Sequence, residues 1–235
     1  MIGQGGARAV FSARENGHHP PEGGADTALA RFLLELRQKG LTEPALLNAF
    51  ERVPRAAFLP GLRPGLLYQP VALPIPCGEE AEDPFTLARL LVLLRVAPGQ
   101  RVLEIGTGSG FGTALLAAAG AEVITFERYR SLSQAARSRF GALGLARITA
   151  HQADGLTKRG GLGPLDRLII GGALDLVPQH LFEGLVPGGI AIGGRVRGRE
   201  MRLTLWRIDA SGFPVETDLG PCRMSRMRPG LPVSL

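Results

Sequence analysis

The 235-residue chain is 45% hydrophobic and 20% charged, with 33 Gly and 18 Pro, which predicts one globular, turn-rich catalytic domain rather than a disordered or fibrous chain. Its net charge of +6 is scattered apart from a patch of Arg223, Arg226 and Arg228, and base-stacking aromatic clusters are lacking, so we expect no nucleic-acid partner. Cys77 and Cys222 are too few for a disulfide framework or a CxxC metal site, and the absence of a long uncharged apolar run predicts a cytoplasmic protein without a membrane segment.

The first part of the chain divides into a tail and a helical segment. Residues 1–26 lack periodicity and are rich in Gly, Ala and Pro, which predicts a mobile tail. Residues 27–98 are predicted to form a helical and loop segment in front of the main domain. Its predicted parts are a helix capped by Asp26 or Thr27, a second helix capped by Thr42, an extended connection over 60–84, and a third helix from Pro84 to Leu94.

Residues 99–235 alternate short β-rich runs with helical stretches, which predicts an α/β, Rossmann-like core with a mostly parallel sheet and helices on both faces. The predicted parallel strands are 101–105, 122–126, 147–152, 165–170 and 189–196, and 202–209 and 214–219 form an antiparallel edge. Helices are predicted over 113–119 and 131–143 and near His180 to Leu185.

The segment 104–110 reads Glu-Ile-Gly-Thr-Gly-Ser-Gly between a strand and a helix, where glycines let the backbone approach a ligand. A dinucleotide fingerprint needs its third glycine at position 111, which holds Phe111, and no Gly-Lys-Ser/Thr of a P-loop follows. An acid followed by G-x-G-x-G is typical of enzymes that use S-adenosylmethionine, which we predict as the cofactor. Its predicted ligands here are Glu104, for the ammonium group, with Gly106, Thr107, Gly108, Ser109 and Gly110.

Two further acids stand at the ends of the next predicted strands. Glu127 follows Glu104 by twenty-three positions, where a carboxylate can accept hydrogen bonds from both ribose hydroxyls. Asp154, followed by Gly155, ends the third strand and can accept from the adenine amino group. Each acid alone is also consistent with a solvated strand end. Three acids at consecutive strand ends favour cofactor binding.

From about Leu33 to Pro229 the chain resembles the protein-L-isoaspartate O-methyltransferases. The matching segments are 49–55 with Phe58 and Pro60, 73–75, 101–110, 154–155, 165–170 and 186–189. The resemblance implies an S-adenosylmethionine-dependent methyltransferase fold. It also implies methylation of the abnormal α-carboxylate of isoaspartyl residues in proteins or peptides, the first step in their repair.

The chain departs from the family pattern at residues 79–83, called the acidic segment below. Here Glu-Glu-Ala-Glu-Asp replaces Gln-Thr-Ile-Ser-Gln, so that Glu82 stands at the position of an active-site serine and Glu80 at that of a threonine. An ionised Glu82 would repel a carboxylate about 4 Å away by roughly 1 kcal/mol in water and roughly 4 kcal/mol at an effective dielectric of about 20. We therefore expect weak or no activity on isoaspartyl peptides.

Three interpretations of the acidic segment follow from the residues. It is a solvated loop that points away from the cofactor, or Glu82 or Glu80 is a catalytic general base for another, small acceptor with a hydroxyl or amine. In the third, methyl transfer is lost, and the chain is a catalytically inactive module that binds the cofactor or a partner. Function depends on the site more than on the fold, so the fold and cofactor are predicted more firmly than the acceptor.

Overall fold

The computed structural model describes residues 24–157 and 160–232. Most of the predicted tail, residues 1–26, lies outside the described residues, and its last positions belong to the first helix. The N-terminal helices are α1 (Ala25–Gln38), α2 (Pro44–Arg52) and α3 (Arg55–Phe58). The predicted caps Asp26, Thr27 and Thr42 are wrong, because Gly24 and Glu43 hold the N-cap positions without a side-chain cap bond.

The predicted extended connection contains a small antiparallel hairpin that sequence reasoning missed. Strand β1 (Leu73–Ile75) pairs with β2 (Glu79–Ala81), and a 3₁₀ turn at Pro76–Gly78 joins them. Helix α4 (Pro84–Leu94) follows as predicted. Asp83 caps it, since its Oδ1 atom accepts from the backbone N–H groups of Phe85 and Thr86 at 2.9 Å each. One acid of the acidic segment therefore has a structural role.

The remaining elements form the predicted α/β core. They are β3 (Arg101–Ile105), α5 (Phe111–Ala118), β4 (Glu122–Glu127), α6 (Arg130–Ala142), β5 (Ile148–Gln152), β6 (Leu165–Leu174), β7 (Leu185–Arg197), β8 (Glu200–Ile208) and β9 (Pro214–Pro221). The seven-stranded sheet has the order β5-β4-β3-β6-β7-β8-β9. Strands β3 to β7 pair in parallel, and β8 and β9 add an antiparallel edge. The predicted mostly parallel sheet with an antiparallel edge is confirmed.

The two faces of the sheet are covered differently. The prediction of helices on both faces is therefore wrong. All six α-helices of the described residues contribute to one hydrophobic cluster, which also contains one face of the sheet. The other face packs mainly against loop residues and a 3₁₀ turn at Gln179–Phe182, where a helix near His180 to Leu185 was predicted. Pro178 and Gly184 flank that turn and leave room for a single turn of helix.

Candidate active site

A cleft with a volume of about 500 Å³ opens at the carboxyl ends of the parallel strands. That volume is ordinary for a small-molecule site, and the place is the usual one in open α/β sheets. The predicted site residues that line it are Glu80, Glu82, Glu104, Gly106, Thr107, Gly108, Ser109, Glu127, Asp154 and Gly155. Gly110 is the one predicted residue that is not part of this lining.

The glycine turn after β3 has the backbone conformation that its residues predict. Gly106 has φ +94° and donates its N–H to the Phe126 carbonyl oxygen at 2.8 Å, which fixes the start of the turn. Gly110 has φ +89° and is the N-cap of α5. A Cβ atom there would lie 2.9 Å from the ring of Phe140, so this glycine is required by the backbone and by packing.

Glu104 is buried beneath the glycine turn, with 5% of its surface exposed. Its Oε2 atom accepts hydrogen bonds from the hydroxyls of Thr113 and of Thr125, the latter at 2.7 Å. The Thr107 hydroxyl lies 2.6 Å from that of Thr125 and extends the network to the turn. Burial raises the pKa of Glu104 to about 7, and the two hydroxyl donors oppose this effect.

Glu127 connects the end of β4 to the glycine turn. Its two carboxylate oxygens accept from the backbone N–H groups of Gly108 at 2.8 Å and Tyr129 at 2.9 Å. The side chain is buried, and burial raises its pKa against the effect of these bonds. A buried strand-end carboxylate that faces the cleft is the arrangement expected for an acceptor of ribose hydroxyl hydrogen bonds.

Asp154 and Gly155 lie at the third strand end. Asp154 accepts from the N–H groups of Leu156 at 2.9 Å and Gly230 at 2.7 Å, and from the Thr157 hydroxyl at 3.1 Å. Burial alone would raise the pKa of Asp154, but these donors outweigh it and hold the pKa below its ordinary value. A Cβ atom at Gly155 would lie 2.7 Å from Ile105, so Gly155 permits close packing beneath the cleft.

Residues 222–230, called the C-terminal segment below, cross the cleft and were missed by sequence reasoning. Ala173 of β6 donates to the Ser225 carbonyl at 2.8 Å and accepts from the Met227 N–H at 2.9 Å. A Cβ atom on Gly172 would lie 2.5 Å from the Met227 side chain, so this glycine makes room for the segment. The only signal in the sequence is the Gly-Gly pair at 171–172, which does not identify what packs against it.

The acidic segment contributes Glu79, Glu80, Ala81 and Glu82 to the lining of the cleft. Glu80 is exposed and pairs across the hairpin with Pro74, whereas Glu82 is half-buried and its Oε1 atom accepts from the Asp83 N–H at 3.1 Å. Burial is the main cause that raises the pKa of Glu82 to about 7. The hydrogen bond from the Asp83 N–H and the charge of Arg55 lower this pKa, whereas the charges of Asp83 and Glu80 raise it further. The interpretation as a solvated loop that points away from the cofactor is therefore wrong for Glu82.

The chain is similar to known proteins over most of its length. The family model described as protein-L-isoaspartate(D-aspartate) O-methyltransferase matches residues 28–207. A protein-L-isoaspartate O-methyltransferase of Azorhizobium caulinodans is 39% identical over 173 residues, which cover 74% of this chain and 80% of the relative. One of Caulobacter sp. strain K31 is 36% identical over 192 residues, which cover 81% of this chain and 88% of the relative.

Two solved structures show the same fold. One, named protein-L-isoaspartate O-methyltransferase, superposes with a TM-score of 0.78 at 22% identity and covers 85% of this chain and 66% of its own. Another, from Plasmodium falciparum in complex with S-adenosyl-L-homocysteine and provisionally named as such an enzyme, has a TM-score of 0.73 at 19% identity and covers 84% and 97%. The predicted methyltransferase fold and the family resemblance are confirmed. The chain belongs to the protein-L-isoaspartate(D-aspartate) O-methyltransferase family and is an enzyme of the methyltransferase class.

Proposed function

We propose that the chain transfers the methyl group of S-adenosylmethionine to the α-carboxylate of isoaspartyl residues in proteins or peptides. The observation that carries this proposal is the cleft itself. It joins the glycine turn and the strand-end acids to a second wall formed by the acidic segment, in a chain of this family. The first part holds the cofactor, and the second part receives the acceptor.

The residues of the first part fit S-adenosylmethionine. Glu127 accepts from the ribose hydroxyls, and Asp154 lies at the third strand end of the same cleft, where a carboxylate can accept from the adenine amino group. Glu104 holds the ammonium group, since both hydroxyl donors use its Oε2 atom and no described residue donates to Oε1. Gly106 and Gly108 line the cleft with little side-chain bulk, so the backbone of the turn contacts the cofactor directly, and Thr107 and Ser109 complete this wall.

Calorimetry should detect binding of S-adenosylmethionine or S-adenosylhomocysteine and much weaker binding of NAD. The reason is Phe111, which is 2% exposed and packs against Phe50 and Phe58 at the position where a dinucleotide site needs glycine. Titration of the same sample with each compound is the measurement. Tight binding of NAD with no heat from either sulfur compound would contradict the cofactor assignment.

Methyl transfer requires the protein to position the two reactants and does not require a covalent bond to the protein. The bound cofactor supplies a methyl group activated by its sulfonium sulfur. An acceptor carboxylate oxygen forms the new C–O bond while the methyl–sulfur bond breaks and its electron pair stays on sulfur, so no proton has to be moved. The protein aligns the two reactants and excludes water, and a carboxylate acceptor needs no general base. Glu82 then acts as a contact for the acceptor, and Glu80 lies at the rim of the cleft.

The state of Glu82 changes the expectation of weak isoaspartyl activity. That expectation assumed an ionised side chain, whereas burial raises the pKa of Glu82 to about 7. The neutral carboxyl group can donate a hydrogen bond to a carboxylate, as the hydroxyl of the family's serine can. Repulsion therefore grows as Glu82 ionises, and we expect the acceptor to bind best below the pKa of Glu82.

We expect kcat/KM for an isoaspartyl peptide to fall as the pH rises from 6 to 8, and Glu82→Ser to remove most of this fall. The assay uses saturating S-adenosylmethionine, so that titration of Glu104, which acts on cofactor binding, does not enter. Glu80→Thr is the matched control and should keep the fall, displaced slightly to lower pH, because Glu82 is still present and loses only the small pKa-raising effect of the exposed Glu80. A parent profile that is flat, or that Glu82→Ser leaves unchanged, would place Glu82 outside the acceptor site.

A role in repair of isoaspartyl damage belongs to the same proposal, since methylation is its first step. Among residues 24–157 and 160–232, no helix is long and apolar enough to cross a lipid bilayer. The cytoplasmic location stays a prediction from the sequence. The alternative, an inactive module that binds the cofactor or a partner, would bind S-adenosylhomocysteine and transfer no methyl group to any acceptor.

A further inference from the structure

Arg55, the first residue of α3, is a buried cation in the wall of the cleft. It is 1% exposed, and its guanidinium lies 4.9 Å from the centre of the Phe111 ring. One terminal nitrogen, Nη2, donates to the backbone carbonyl oxygen of Glu82 at 2.7 Å. Within the described part of the chain, its buried Nε has no hydrogen-bond acceptor and no carboxylate forms an ion pair with it. Arg55 is thus fixed in place, with donor capacity left over.

A buried guanidinium without a carboxylate partner lowers the stability of a protein, because removing the charge from water costs free energy that no ion pair offsets. Burial lowers the pKa of Arg55 to about 10, against the effects of Tyr68, Asp83 and Glu82, so the group stays charged at neutral pH. A methionine or leucine would fill the same space over Phe111 at lower cost. The bond to the Glu82 carbonyl uses one of the five N–H donors of the guanidinium. Contacts within the protein therefore do not account for most of its hydrogen-bonding capacity.

Two of the three other arginines that line the cleft, Arg226 and Arg128, have partners of their own. Arg226 forms an ion pair with Asp175 at 2.9 Å. Arg128 lies next to Glu127, packs on the Tyr129 ring and donates to the Arg228 carbonyl, although its Nε is also unpaired. Arg228 belongs to the C-terminal segment, so Arg55 alone among these four arginines is hydrogen-bonded to the acidic segment, where the proposed function places the acceptor.

We propose that Arg55 binds the carboxylate of the methyl acceptor and determines the preference of this cleft for an anionic acceptor. The proposal rests on the proposed function, which supplies the carboxylate. A guanidinium presents its donors in a planar fork that matches a carboxylate, and its charge offsets the glutamates at 79, 80 and 82. One carboxylate oxygen stays available to the methyl group while the other is held.

The test is calorimetry of the protein saturated with S-adenosylhomocysteine. The titrants are an isoaspartyl peptide and the same peptide with its α-carboxylate converted to a carboxamide. We expect the parent to prefer the carboxylate by about tenfold or more, the scale of hydrogen bonds to charged groups. Arg55→Gln removes the charge but can still donate to the Glu82 carbonyl, and it should lose this preference. Arg55→Lys should restore part of it, because the charge returns without the planar fork.

Arg167→Met is the matched control, since Arg167 donates to backbone carbonyls, of Leu94 and Arg95 among others, away from the cleft. Arg167→Met and Arg55→Gln should both bind S-adenosylhomocysteine within about twofold of the parent, which separates a specific loss from a general one. If Arg55→Gln keeps the preference, or if the parent binds both peptides equally, the proposal is wrong. The second comparison needs no variant, so the proposal can be contradicted even where Arg55→Gln does not fold, and Arg55→Lys then tests the role of the planar fork.

Failure of the proposed function gives a different result. A parent that prefers the carboxylate peptide but transfers no methyl group to it would contradict isoaspartyl methylation and leave the role of Arg55 standing. If the parent methylates the peptide while Arg55→Gln binds the peptide equally well, the role of Arg55 is contradicted and isoaspartyl methylation stands. A parent that binds neither peptide contradicts both.

Discussion

Glu127→Ala should bind S-adenosylhomocysteine about 1 to 3 kcal/mol more weakly than the parent, which is roughly 5- to 150-fold in Kd. Hydrogen bonds to a charged acceptor are on that scale, and a ribose offers two hydroxyls to one carboxylate. The same side chain also accepts from the N–H groups of Gly108 and Tyr129, so its removal loosens the turn that contacts the cofactor. We expect the global fold to persist, because the glycine turn is also held by the bond from Gly106 to Phe126.

Two variants control this measurement. Glu127→Gln keeps an oxygen acceptor and should lose less affinity than Glu127→Ala. Glu122→Ala removes an exposed carboxylate from the other end of the same strand and should leave affinity unchanged. If Glu127→Ala bound S-adenosylhomocysteine like the parent while its melting temperature fell, Glu127 would be structural and the strand-end argument would fail at this position.

Glu104→Gln should stabilise the protein without cofactor at pH 8 by about 1 to 3 kcal/mol and weaken binding of S-adenosylhomocysteine. The pKa of Glu104 is raised from an ordinary 4.5 to about 7, chiefly by burial. Because the folded-state pKa lies above the unfolded one, the stability that neutral Glu104 contributes is complete below about pH 4.5 and is lost as the pH rises through about 7. Each pH unit across that window is worth about 1.4 kcal/mol for one group.

The amide that Glu104→Gln introduces cannot ionise, so the variant should lack that part of the pH dependence and should also lack a carboxylate for the ammonium group. The measurement is the free energy of unfolding of parent and variant at pH 5 and pH 8, taken as a difference so that other titrating groups cancel. Glu122→Gln is the control for loss of an exposed charge. Equal differences at the two pH values would mean that Glu104 ionises with an ordinary pKa, and the buried-acid account would be abandoned.

The parallel core was predictable because its signals are local. The strand over 101–105, the glycine turn and the helix after it follow from apolar runs and from residues that permit special backbone angles. The mistaken helix near His180 and the missed hairpin at 73–81 have one cause. In short segments rich in Pro and Gly, tertiary packing decides between turn, 3₁₀ helix and strand, and periodicity has too few residues to act as a guide.

The cofactor part of the cleft was predictable for a related reason, since successive parallel strands bring their carboxyl ends to one edge. Glu104, Glu127 and Asp154 all line the cleft as predicted from that rule. The acceptor part depends on contacts between distant segments. The bond from Arg55 to Glu82 spans 27 positions, and the C-terminal segment reaches β6 from about 50 positions away. No spacing rule relates such residues, and the altered pKa of Glu82 appears only with its burial.

The most direct test of the account is transfer of labelled methyl from S-adenosylmethionine to two peptides that differ only in isoaspartyl or normal aspartyl linkage. The assay runs at pH 6, where Glu82 is mostly neutral, beside a panel of alcohol and amine acceptors. The account predicts label on the isoaspartyl peptide as a base-labile methyl ester, with little on its normal counterpart. Label that appears only on alcohols or amines, or on no acceptor although S-adenosylhomocysteine binds, would contradict it.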